Sequence, residues 1–206
     1  MLEEVRQVFE QTDVASVTTA YLSLLAQQGE YKKALVIADS RSGSFTVDFM
    51  RVYILAQMFD RPENGLIAYR TLAARYPVAH GGGNHSPLLL LGRKAEAVAS
   101  ARRDRQAMEK VMQPPPWIQR QGDYNCELIS AEQLLAETHT RWARGLAHYY
   151  IGFTKLAEGD RAGAREHLSK MVAIHIFPSP MDYVSRMTLA RMEKDPTWPP
   201  WIPVKK

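Results

Sequence analysis

The chain has 206 residues, 46% hydrophobic and 23% charged, with a net charge of +4 and an isoelectric point near 9.2. Such a length is one domain or one array of small repeats and can bury about 70% of its unfolded surface without a metal or disulfide staple. The composition excludes a largely disordered or collagen-like chain, and the single cysteine, Cys126, excludes an intrachain disulfide.

The first eleven residues, MLEEVRQVFEQ, carry acids and no apolar core, so they do not read as a secretory signal. The next stretch, VTTAYLSLLAQQ, places Val17, Tyr21, Leu24 and Leu25 on one helical stripe. Gly29 then reads as a helix C-cap, followed by a second helix from EYKKALVIA. FTVDFMRVYILAQMF is the next helix, and Asp60 with Pro62 supplies an N-cap region and a first-turn proline for its partner. The segment HGGGNHS, residues 80–86, is a loop. Ser86-Pro87 reads as an N-cap with a first-turn proline ahead of the apolar run Leu88–Leu91. That run is far too short to span a bilayer, and short even for a hairpin helix.

A long polar helix, KAEAVASARRDRQAMEKVM, follows Gly92 and stops at Pro114, Pro115 and Pro116. Gly122 is expected to be a further C-cap, and Ser130 with Gln133 has capping-box spacing for a short helix to about Glu137. HYYIGFTKLAE leads to Gly159, with Asp160 as N-cap of its partner helix. Ser179-Pro180 opens a last helix to about Met192. The tail DPTWPPWIPVKK cannot be helical, and Trp198 and Trp201 are expected to pack back on that helix.

One pattern recurs along this series. A turn residue is followed within about five positions by a small residue on an apolar stripe, starting at Gly29, Asp60, Gly92, Gly122 and Gly159. The offsets are 31, 32, 30 and 37 residues, bracketing the period of a helix–turn–helix repeat. Ala34, Gly65, Ala97 and Ala164 sit where two helices must approach closely. Ala164 with Leu168, Ile151 with Gly152, and Pro77 twelve residues after Gly65 match elements of the tetratricopeptide consensus, with Tyr31 and Tyr69 at its aromatic positions. The chain therefore resembles the tetratricopeptide repeat (TPR) family. Residues 122–202 look like the TPR regions of NlpI-type bacterial lipoproteins and of TPR-bearing bacterial serine/threonine kinases. Neither a lipidated leader nor the kinase glycine loop, lysine and HRD–DFG set occurs here.

The resemblance implies an all-α, TPR-like helical-hairpin solenoid forming a single domain over residues 1–206. Its regular hairpins would cover about 15–77 and 138–176, around an irregular, degenerate centre at 78–137, with a capping helix and tail at 179–206. It also implies a scaffold or adaptor that binds a protein or peptide in a concave groove lined by the first helix of each hairpin. The groove candidates are Ser16, Thr19, Ser23 and Gln27, then Met50, Ile54, Gln57 and Met58, then Tyr149, Phe153 and Leu156. The same stripe is what a neighbouring helix would bury, so Ile54, Phe153 and Leu156 read equally as stacking residues.

No enzyme pattern stands against this reading. Gly81-Gly82-Gly83 lacks the lysine ending of a phosphate loop. His80 and His85 flank the loop and read as solvated histidines, two ligands being too few for a closed zinc site. His148 reads as a hydrogen-bonded interior or groove residue, and Cys126 as a buried, inert thiol. No catalytic residue, cofactor or metal is expected. Arg102, Arg103 and Arg105, and Arg161 with Arg165, are interleaved with Asp104, Glu109, Asp160 and Glu166, the mixed signs of a solvated face, so nucleic acid is not the expected partner. A regulatory module beside a separate signalling enzyme and a basic nucleic-acid accessory stay open as alternatives, as does homo-oligomerisation. The expected location is the cytoplasm, or the periplasm if a leader has been removed, with no membrane span.

Overall fold

A computed structural model describes residues 2–59, 62–76, 85–111, 114–176 and 178–205. Among the described residues every regular element is an α-helix. None is long and apolar enough to cross a membrane. Contacts gather into two compact units, where the sequence reading treats the chain as one domain.

The first unit comprises Met1–Arg75 and Phe177–Trp201. Its helices are α1 (Leu2–Glu10), α2 (Ala15–Gln28), α3 (Tyr31–Ser40), α4 (Phe45–Phe59) and α5 (Pro62–Arg75). A further helix, Pro180–Lys194, returns from the far end of the chain. The α2–α3 hairpin turns at Gly29, whose φ of +85° suits a residue without a Cβ. Its N–H bonds the Ala26 carbonyl, and the Glu30 N–H bonds that of Leu25. Ala34 and Ala38 then face inward with no exposed surface. Helix α4 is buried nearly all round through Val47, Met50, Tyr53, Ile54 and Ala56, and packs on α2, α3 and α5.

The returning helix lies on α2 and α4, which is where the expected capping helix goes: it covers the first hairpins. Val184, Met187 and Met192 are its buried face. The Ser23 hydroxyl donates to the Tyr183 carbonyl at 3.2 Å, and Lys194 Nζ donates to the Gln27 carbonyl at 2.9 Å, a cation on the negative end of α2. Ser179 occupies the N-cap position but makes no cap bond. As expected, Trp198 packs back: it is fully buried, with the Arg191 guanidinium 5.7 Å from its ring centre.

The second unit comprises Tyr76–Ile176 and Ile202–Lys206. In it run α6 (Ser86–Leu90), α7 (Lys94–Val111), α8 (Pro116–Asn125), α9 (Ala131–Ala136), α10 (Arg141–Ala157) and α11 (Arg161–Ala173), so the helix at Pro180–Lys194 is α12. Helix α10 is the axis, touching α6, α8, α9 and α11. Thr140 caps it, accepting from Ala143 N–H at 3.1 Å. The α10–α11 hairpin turns at Gly159, φ +77°, and Asp160 accepts from Gly163 N–H at 2.9 Å, as its sequence predicts. The two helices nest because Gly152 has no side chain: a Cβ there would meet Leu168 Cγ at 2.8 Å and its backbone N at 3.3 Å. The capping box forms, with Ser130 N–H on Gln133 Oε1 at 2.8 Å and Gln133 N–H on Ser130 Oγ at 3.3 Å.

Two expectations fail in this unit. Gly122 lies inside α8, because Pro116 starts a helix that runs through it, so the fourth turn is not at Gly122. Ser86 does not cap α6: His85 takes the N-cap position, and the Ser86 hydroxyl instead shares a buried hydrogen bond with Tyr149 at 2.9 Å. Asp60, Pro77, His80 and the triple glycine lie outside the described residues.

Candidate functional site

The groove expected from the sequence is not an open surface at most of its named positions. Thr19, Ser23, Met50, Ile54, Gln57, Tyr149, Phe153 and Leu156 are all buried. Gln27, Met58 and Ser16 are half-buried. The cause is packing on both sides of the first helices. In the first unit α12 covers α2 and α4, and in the second unit α6, α8, α9 and α11 surround α10. Gln27 Nε2 donates back to the Ser23 hydroxyl at 3.0 Å, and that hydroxyl donates to the Tyr183 carbonyl of α12, so both polar candidates on that turn are already engaged. Ile54, Phe153 and Leu156 are core residues, the stacking alternative.

The structure instead brings together a set of polar side chains in the second unit. A partly enclosed cavity of about 200 Å³ lies among the start of α6, the middle of α7 and the length of α8. His85 lines it and is 1% exposed. Its ring stacks on Tyr150 with centroids 5.2 Å apart and planes 19° apart. Neither ring nitrogen has a hydrogen-bond partner of good geometry. Burial pulls its pKa down to about 4, tempered by the side chain of Asn125, so the ring is neutral at pH 7.

Asp104, from α7, lines the same space. Its Oδ2 is buried with no hydrogen-bond partner, and burial raises its pKa against the opposing pull of Arg103. Asp123 and Glu109 also line the cavity but share Arg105, at 3.0 and 3.3 Å. Met108, Ile118 and Ala101 supply apolar wall. His85 and Asn125 also border a second hollow of about 280 Å³, where Lys94 bridges Glu127 and Glu158 at 2.9 and 2.8 Å.

Sequence reasoning missed this site. In the sequence His85 reads as a solvated loop residue, because the ring that covers it stands 65 positions away. Asp104 carried a usable signal. It falls on the inward stripe of Ala97, Ala101 and Met108, at i, i+4, i+7 and i+11, where a carboxylate is out of place.

The other histidine and cysteine candidates do not line this cavity. His148 and His167 face each other across the α10–α11 hairpin with their Nδ1 atoms 3.0 Å apart. Burial, then the neighbouring His167, brings His148 down to about 4. Cys126 is free, 1% exposed, and its pKa is raised by burial. Among the described residues no three His, Cys, Asp or Glu side chains are grouped to hold a metal ion. Several arginines of the suspected basic clusters are engaged: Arg105 as above, Arg102 on the Cys126 carbonyl at 3.4 Å and Arg161 on the Ile202 carbonyl at 2.8 Å. No family model matches the chain, and no curated protein matches it significantly.

Proposed function

We propose that this chain is a TPR-like array of helical hairpins whose work is to hold a protein or peptide. The observation that carries the reading is the register of the first two hairpins. Ala34 and Gly65 are buried small residues 31 positions apart, one on each second helix. Val36 and Ile67, again 31 apart, are 69% and 63% exposed. The hairpins thus repeat both a buried small residue and an outward aliphatic residue, which is how a repeat protein presents one side chain type in a row. With most of the first-helix candidates in the core, this row on the second helices is the accessible repeated feature.

The test is affinity capture with the wild type and with Val36→Glu/Ile67→Glu. Both positions are exposed, so the double variant is expected to keep its helicity and melting temperature while losing partners that the wild type retains. Identical partners on both proteins overturn the proposal.

A further inference from the structure

The cavity between α6, α7 and α8 carries an inference that stands apart from the repeat reading. Its chemistry is lopsided. Three carboxylates (Asp104, Glu109 and Asp123) line it beside one lining guanidinium, Arg105, which already serves Glu109 and Asp123, while Arg103 acts on Asp104 from outside the lining. Asp123 also has Arg120 at 3.7 Å. Among the described residues Asp104 forms no ion pair, and its buried Oδ2 has no donor. A buried acceptor left unpaired is destabilising, and more so when charged. His85 adds ring nitrogens with no hydrogen bond of good geometry, the Asn125 side chain acting on the ring and the stack on Tyr150 holding it in place. A neutral imidazole has one nitrogen that accepts.

What is missing is therefore a donor-rich cation. An anion would meet the carboxylates. A metal ion would need grouped ligands, and no three are grouped among the described residues. A volume of about 200 Å³ falls below the range of drug-sized ligands and suits a short chain with one charged end. Met108 and Ile118 give the carbon stem its apolar wall.

We propose that this cavity binds an alkylammonium or guanidinium group, with Asp104 receiving the charge, His85 accepting one N–H, and Met108 and Ile118 against the stem. The group can belong to a free amine or to a lysine or arginine side chain of a peptide.

The experiment titrates the full chain with n-butylamine, agmatine, the tripeptide Gly-Lys-Gly and, as the uncharged control, n-butanol, following heat and backbone amide shifts. The expected result is saturable binding of at least one cation, with Kd at or below about 1 mM, and shifts confined to His85 and residues 101–109 and 118–125. Preference for the two amines assigns a free ligand, and preference for the tripeptide assigns a side chain. Asp104→Asn should weaken binding at least tenfold, and His85→Phe severalfold. Glu30→Gln, exposed in the first unit, should leave it unchanged. Asp104→Asn removes a charge that burial disfavours, so its melting temperature should equal or exceed that of the wild type. If it instead melts lower, Ile118→Phe, which fills the space from α8, must weaken the same cation. Absence of cation binding at 10 mM (about −2.7 kcal/mol), equal binding of n-butanol, or full affinity in the folded variants overturns the proposal.

Discussion

At the scale of single residues, His85 shows how far a side chain's chemistry departs from its sequence context. Nothing in HGGGNHS announces a buried ring, yet the residue is 1% exposed and its pKa is about 4. The unfolded chain binds a proton near pH 6.5 and the folded chain does not until about pH 4. Between those values the unfolded state holds more protons, so this contribution is complete above pH 6.5 and is lost as the pH falls toward 4. The loss amounts to roughly 2–3 kcal/mol at pH 4.5. His85→Phe keeps an aromatic ring on Tyr150 and removes the titration. Urea unfolding at pH 7 and pH 4.5 should therefore show a smaller drop for the variant, by about that amount. An equal drop in both proteins would mean that His85 is not held neutral by burial.

At the scale of elements, the turns and caps were legible and the partners were not. Gly29, Asp160 and the Ser130–Gln133 box act locally, within a few residues, so sequence alone predicts them. Gly122 misled because a glycine also fits a helix interior, and only Pro116 six residues earlier says where α8 begins. The groove candidates misled for a related reason: periodicity identifies a helix's apolar face but not which neighbour covers it. Ser86 turned away from its cap because Tyr149, 63 residues on, offers a buried hydroxyl. The sequence places the close approach of α10 and α11 at Ala164, which is buried; the structure adds Gly152 against Leu168, and that contact is testable. Gly152→Ala would press a Cβ on Leu168 Cγ and on its backbone, an overpacking of about 1–3 kcal/mol, against about 1 kcal/mol regained in helix propensity. Gly145→Ala would press mainly on the end of the Ile176 side chain, which can turn aside. Thermal melts should rank Gly152→Ala as the less stable of the two.

At the scale of the whole molecule, the last helix sets the organisation. Because Val184, Met187 and Met192 of α12 are buried against the first unit, that unit is assembled from both ends of the sequence. A chain ending at Ile176 should lose hydrogen-exchange protection in α2 and α4 while α10 keeps its own. Retained protection in α2 would show that α12 is dispensable. The same arrangement bears on synthesis. Ribosomes add about 5–20 residues per second, so α4 emerges roughly ten seconds before α12 can cover it. The apolar face of α4 is thus made before the helix that buries it, and during that interval nothing from α12 shields it from water.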